Sequence, residues 1–285
     1  MNVDGFTLHH EDHGTLGDPA VVLLHGWPGG AADYREVVPR LAGLRVVVPH
    51  LRGFGRSDRH LVDPADNYSA AAQARSIAGL IEELGLERPV VAGYDVGSRV
   101  AQRLARTRPD LVGALAVSPP LPSAGARVLA PGQVTEFWYQ SFHQLPLSPE
   151  LIDGDRAQVD RYLRHFWNHW SGPDYTIDEA QFAALVDDYA RPGAFEASIN
   201  WYRAGAATLS LATDEKAPAA GDRLAVPTIV LWPDHDPLFP REWADQLDAW
   251  FGDVELRHAD GVGHFTPLEA PDAFAGMVRD AVARR

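Results

Sequence analysis

Asp95 stands at the centre of Gly93-Tyr94-Asp95-Val96-Gly97, a tight turn with a small residue on each side. The apolar run Val90-Val91-Ala92 feeds the turn, and a helix-forming stretch, Ser98 to Arg108, follows at once. Glycines at 93 and 97 let a strand and a helix pack closely while the turn takes strained backbone angles, which pushes the apex side chain out above a sheet. A carboxylate at that apex does not make the acyl ester that a serine makes. It can attack an electrophilic carbon and leave an alkyl ester on the protein.

Release of that ester needs a base. Gly261-Val262-Gly263-His264-Phe265 offers an imidazole on a glycine-flanked loop, and Asp234-His235-Asp236 offers a carboxylate to orient it. Asp236 is the expected orienter, because it lies farther beyond the preceding apolar run, with Asp234 in reserve. Nucleophile, then acid, then histidine is the chain order found where the nucleophile sits on a strand-to-helix elbow. The backbone N–H groups of Trp27 and Val96 are the expected oxyanion donors. Singly, each residue has an ordinary explanation: Asp95 can cap the helix after it, His264 can be a loop histidine, and Asp234 and Asp236 can be turn residues. Together, in this order and each at a strand end, they favour catalysis.

The elements that must position these groups are legible as alternating apolar runs and helices. Ala20 to His25, Leu44 to Pro49, Val90 to Gly93, Leu111 to Val117, Val226 to Trp232 and Val254 to His258 read as strands. Helices are expected at Ala31 to Leu41, Ser69 to Leu84, Arg241 to Trp250 and Ala270 to Arg284, and Phe6 to Gly14 as a leading strand pair. Continuous apolar strands alternating with helices call for a parallel sheet covered on both faces. From Pro119-Pro120-Leu121-Pro122 to about Arg223 the strand pattern gives way to a helical, aromatic-rich segment. The chain therefore reads as a core of residues 1–121 and 224–285 with an all-helical cap, 122–223. Ligands of open α/β sheets bind beyond the carboxyl ends of the strands, where such a cap would form a roof.

Composition narrows the possibilities. A length of 285 residues suits one large α/β domain with an inserted subdomain. A net charge of -14 opposes nucleic acid or an anionic membrane as partner, and the absence of cysteine excludes disulfides and thiolate chemistry. The opening residues lack a leader pattern and no run is long enough to span a bilayer, so a cytoplasmic location is the default expectation. His165 and His169 have a metal-compatible spacing but lack the glutamate of a H-E-x-x-H motif, so a solvated helix face is expected and no metal is assigned.

His25-Gly26-Trp27-Pro28 resembles the His-Gly-x-Pro motif of epoxide hydrolases, and the elbow resembles their Asp-bearing turn. Over nearly its whole length the chain resembles α/β-hydrolases of the epoxide hydrolase group, with haloalkane and haloacetate dehalogenases as near relatives. The resemblance implies the α/β-hydrolase fold and opening of an epoxide to a vicinal diol, without metal or organic cofactor. Tyr139-Gln140-Ser141-Phe142-His143-Gln144-Leu145-Pro146 and Asn200-Trp201-Tyr202-Arg203 resemble the family's two cap-tyrosine segments. That implies Tyr139 and Tyr202 as acids toward the ring oxygen. Trp27, Trp138 and Phe265 are the candidate substrate contacts, and the cap aromatics point to an apolar or aromatic epoxide.

The dehalogenase alternatives fit less well. Haloalkane dehalogenases place a tryptophan directly after the nucleophile, where this chain has Val96. Haloacetate dehalogenases hold the substrate carboxylate with arginines one and four residues after it. Arg99 matches only the second and is expected to be structural. A ligand-binding protein that has lost turnover is a third possibility, which the complete set Asp95, Asp236 and His264 speaks against.

Overall fold

The computed structural model describes residues 2–122 and 124–285. Its main sheet has seven strands: β3 (His10–His13), β4 (Ala20–Leu24), β5 (Arg45–Pro49), β6 (Val90–Gly93), β7 (Ala114–Val117), β8 (Thr228–Pro233) and β9 (Val254–Ala259). They lie in the order β3-β5-β4-β6-β7-β8-β9. β3 runs antiparallel to β5 and every other pairing is parallel. The leading pair expected within Phe6 to Gly14 does not form: β2 (Phe6–Thr7) pairs instead with β1 (Asn2–Val3) in a small hairpin, and β3 joins the edge of the main sheet.

Every residue of β4 to β8 is buried. That explains their largely apolar character, since a parallel strand covered on both faces has no solvent side. The flanking helices include α1 (Ala70–Glu83), α2 (Val96–Thr107) and α7 (Pro271–Arg284). Ser69 caps α1 through its hydroxyl, which accepts from the Ala72 N–H at 3.3 Å.

Between β7 and β8 the described residues contain helices and loops and no strand. They include α3 (Trp138–Phe142), α4 (Arg156–Trp170), α5 (Glu179–Tyr189) and α6 (Ala194–Arg203). Asp155 and Asp178 start α4 and α5, each accepting two first-turn N–H groups.

Two expected helices differ. Ala31 to Leu41 forms two short 3-10 turns, Ala31–Tyr34 and Val38–Leu41. Asp33 bends back to the Gly30 N–H at 2.9 Å, and Pro39 has no N–H to continue a helix. Arg241–Ala249 is also 3-10, broken at Gln246, which lets Trp243, Ala244 and Leu247 all face inward.

Candidate active site

β6 ends at Gly93 and the chain turns sharply into α2. Asp95 takes φ 50° and ψ −123°, a left-handed conformation that costs a side-chain-bearing residue about 1–3 kcal/mol. The turn is fastened on both sides: the Asp95 N–H donates to Pro119 O at 2.9 Å, and the Ser118 N–H to Gly93 O at 3.0 Å. Glycine at 97 is required, because a Cβ there would collide with the Leu24 carbonyl at the end of β4. At Gly26 a Cβ would lie 2.6 Å from the Asp95 Cβ. The loop after β4 and the elbow therefore touch backbone to side chain.

That contact gives Asp95 its orientation. Its side chain makes no capping bond to α2. Instead Oδ1 accepts the Trp27 N–H at 2.7 Å, and Oδ2 lies 3.5 Å from His264 Nε2. Val96 opens α2, so its N–H belongs to the first-turn donors that no helix carbonyl takes.

His264 is 2 % exposed. Its Nδ1 lies 2.9 Å from Asp236 Oδ2, while Asp236 Oδ1 accepts the Leu238 N–H at 2.9 Å. Asp234 turns away and accepts the Gly261 N–H at 2.7 Å. Burial works against a charge on His264, but Asp236 and then Asp95 outweigh it and push its pKa up to about 10. Both carboxylates thus favour the charged form of the ring.

Three supporting residues carried no sequence signal. Glu269 accepts the N–H groups of Gly172, Gly263 and Phe265 at 2.8, 2.7 and 2.9 Å, clamping both neighbours of His264 and the start of the loop after α4. Trp170 accepts the His264 N–H at 2.8 Å and sets its indole 5.0 Å from the imidazole. Asp33 is wholly buried beneath the loop after β4, where the Tyr94 hydroxyl donates to it at 2.6 Å. Burial pushes the Asp33 carboxyl up to about 7, against those hydrogen bonds. Only the completed fold shows these roles, since their partners lie on distant strands and loops.

The aromatic groups gather on Trp27. Its indole stacks on Tyr139 with centroids 5.6 Å apart and meets Tyr202 edge-on at 5.5 Å. Gln140 donates to the Tyr139 hydroxyl at 3.1 Å, and the Tyr202 hydroxyl is hydrogen-bonded to it as well. Burial, then Asp95, raises the Tyr139 pKa. Tyr202 is raised by burial, then by Tyr139 and Asp95. Both phenols therefore stay protonated.

Phe265 is buried against His264, Trp167 and Trp170. Trp138, expected beside the substrate, lies one layer outward: it is 43 % exposed and stacks on Phe166 rather than on Trp27. Trp170 lies beside both Trp27 and His264.

Three other residues are explained. His25 accepts the Leu51 N–H at Nε2 (3.1 Å) and faces Gly26 O with Nδ1 (3.0 Å), a neutral bridge; burial lowers its pKa to about 4. His165 and His169 stack with centroids 5.9 Å apart, and His169 pairs with Glu136 at 2.7 Å. Among the described residues no group of three His, Asp or Glu side chains is arranged to hold a metal ion.

Residues 19–271 match the alpha/beta hydrolase fold family. The chain is 29% identical over 280 residues to a soluble epoxide hydrolase of Corynebacterium sp. (strain C12), covering 94% of this chain and 91% of the relative. It is 33% identical over 193 residues to a fluoroacetate dehalogenase of Burkholderia sp, covering 66% and 62%. A solved structure described as an alpha/beta hydrolase, from Nostoc sp PCC 7120, superposes with a TM-score of 0.87 at 25% identity, over 100% of this chain and 97% of the other. With the parallel sheet, the elbow between β6 and α2 and the family match spanning most of its length, this chain belongs to the alpha/beta hydrolase fold family.

Proposed function

We propose that the protein hydrolyses an epoxide to a vicinal diol through an ester on Asp95. The observation that carries the proposal is the division of the Asp95 carboxylate: Oδ1 is taken by the Trp27 N–H at 2.7 Å, and Oδ2 faces His264 at 3.5 Å. Two protonated phenols, Tyr139 and Tyr202, flank the same indole.

In this scheme residues 122–223 form the cap that brings both tyrosines over the elbow. A phenol donates its proton to the ring oxygen as Asp95 Oδ2 attacks a ring carbon and the carbon–oxygen bond breaks. Esterification removes the charge of Asp95, one of the two carboxylates that hold the proton on His264. The imidazolium then yields its proton, which restores the phenol, and the neutral ring, oriented by Asp236, activates water. Hydroxide adds to the ester carbonyl carbon and the Trp27 and Val96 amides hold the oxyanion; its collapse breaks the acyl carbon–oxygen bond, and the departing alkoxide takes the proton of the new carboxyl group, leaving as the diol and returning Asp95 to a carboxylate. No metal or organic cofactor takes part. The buried aromatic surround of Trp27, Phe265 and Trp170 favours an apolar or aromatic substituent on the epoxide.

Because water attacks the carboxyl carbon, one diol oxygen comes from Asp95. A single turnover in heavy-oxygen water should label Asp95 and leave the first diol unlabelled; label in the diol with none on Asp95 would sink the scheme.

A second reading, release of halide from an organohalide, is favoured by the likeness to a fluoroacetate dehalogenase. Val96 beside the nucleophile and the ion pair of Arg99 with Glu215 count against it. Free-halide assays with a haloalkane and with fluoroacetate separate the two. Tight binding of epoxides with no product would instead favour a ligand-binding protein.

A further inference from the structure

Gln140, on α3, is buried beside the two phenols. Its Oε1 accepts the Leu209 N–H at 3.0 Å. A backbone N–H can only donate, so the atom that faces Leu209 must be the amide oxygen, and the NH2 group must face the other way. There Nε2 meets the Tyr139 oxygen at 3.1 Å. The main chain at Leu209 thus fixes the direction of the bond at the phenol. Gln140 gives a hydrogen to Tyr139 and cannot take one from it.

The two phenols are therefore not equivalent. Burial, then Asp95, resists loss of the Tyr139 proton, but the bonds from Gln140 and Tyr202 both favour a phenolate there. At Tyr202, burial and then Tyr139 and Asp95 all resist ionisation. The second glutamine of this segment, Gln144, donates at 2.7 Å to the main-chain carbonyl of Tyr202, not to its hydroxyl. One glutamine acts on the acid group of a phenol, and the other only on a backbone.

We propose that Gln140 is a positioning residue that singles out Tyr139 as the proton donor to the ring oxygen, while Tyr202 keeps its proton and only hydrogen-bonds to that oxygen. This rests on the epoxide reading of the site. As Asp95 Oδ2 bonds the ring carbon, the carbon–oxygen bond breaks and the Tyr139 proton passes to the ring oxygen. Negative charge thereby moves from Asp95 to the Tyr139 oxygen, where the Gln140 N–H already points. A donor set in place before the charge arrives stabilises it without reorganisation.

Gln140 and Tyr202 line a surface cavity of about 170 Å³, so truncating Gln140 would admit water beside Tyr139. Gln140→Met keeps the length and loses the N–H. Tetrafluorotyrosine, a stronger acid than tyrosine, placed at position 139 or at position 202 of the full chain, reports each phenol's ionisation by fluorine NMR with no substrate present. Gln140→Met should raise the ionisation pH at 139 by about one to two units, and at 202 by less than about half a unit. Gln140→Glu, which keeps an acceptor for the Leu209 N–H, should also raise it at 139. In a His264→Gln background, Gln140→Met should form the styrene oxide ester about tenfold or more slowly, with the half-saturating concentration changed by less than about threefold. No shift at 139, equal shifts at 139 and 202, or ester formation at the full rate each overturns the proposal. A shift confined to 139 in a protein that forms neither ester nor diol supports the hold of Gln140 on Tyr139 and overturns the epoxide reading, so the two failures are told apart.

Discussion

The Trp27 N–H and Asp95 Oδ1 meet at 2.7 Å although 68 positions separate them in the chain. An aspartate at the start of a helix ordinarily turns onto its own first-turn amides. Here α2 receives no such bond from Asp95. The carboxylate faces across to the loop after β4 because β4 and β6 are neighbours in parallel register, Leu24 beside Gly93. One oxygen is held by the donor that would stabilise an ester's oxyanion, and the other remains available to attack.

His264→Gln should separate the two halves of the reaction. Attack by Asp95 needs only the protonated phenols, so the ester should still form. Its hydrolysis should slow by about 100-fold or more. Intact-protein mass spectrometry after adding styrene oxide should show one substrate mass added. An unmodified protein with full diol output would contradict the role given to His264.

Tyr139→Phe and Tyr202→Phe remove one ring-oxygen donor each while keeping the packing on Trp27. Each should lower kcat/KM for an epoxide by about 10- to 100-fold, and the double variant should form no ester at all. Melting temperature serves as the control for folding. Unchanged kcat/KM in both single variants would remove the phenols from the chemistry.

Glu269 holds three backbone N–H groups around His264 and the start of the loop after α4. Glu269→Ala should leave those donors unpaired in a largely buried site, at a cost of about 1–3 kcal/mol each where water does not reach them. Denaturant titration should show the lost stability. Glu269→Gln, which keeps one acceptor oxygen, should retain more stability than Ala and fall chiefly in kcat, through misplacement of the imidazole.

Asp33 predicts a stability that depends on pH. Its carboxyl has an ordinary value of 3.8 and is pushed up to about 7 in the fold, by burial. The folded protein therefore holds that proton more tightly than the unfolded chain, so this group's contribution falls as pH rises from about 4 through about 7. Asp33→Asn cannot ionise. Its amide oxygen can still accept from Tyr94 and Gly30, since both donate to the same Asp33 oxygen. The variant should gain on the wild type as pH rises, measured by denaturant midpoints between about pH 5 and about pH 8. A constant difference across that range would contradict a buried, ionising Asp33.

Much of the fold was visible in the chain because parallel strands buried on both faces are continuous apolar runs, and β4 to β8 are buried throughout. The 3-10 turns at Ala31–Tyr34 and Arg241–Ala249 were not, because Asp33 is drawn to Tyr94 and Trp243 to the core by partners distant in sequence. Trp138 and Trp170 show the same limit. Both are tryptophans of the aromatic segment, but only tertiary packing sets Trp170 beside His264 and Trp138 outside it.

By itself the sequence determined the local chemistry: a carboxylate on a glycine-flanked elbow, a histidine on a glycine-flanked loop, and phenols in two separate segments. Those are short-range properties, since turn geometry and side-chain type need no distant partner. The tertiary structure decided which oxygen of Asp95 is held and which is free, that Asp236 rather than Asp234 meets His264, and that Glu269 and Asp33 support the site. Each of those depends on strand order and on what burial brings within hydrogen-bond reach, and neither is written in the spacing of residues along the chain.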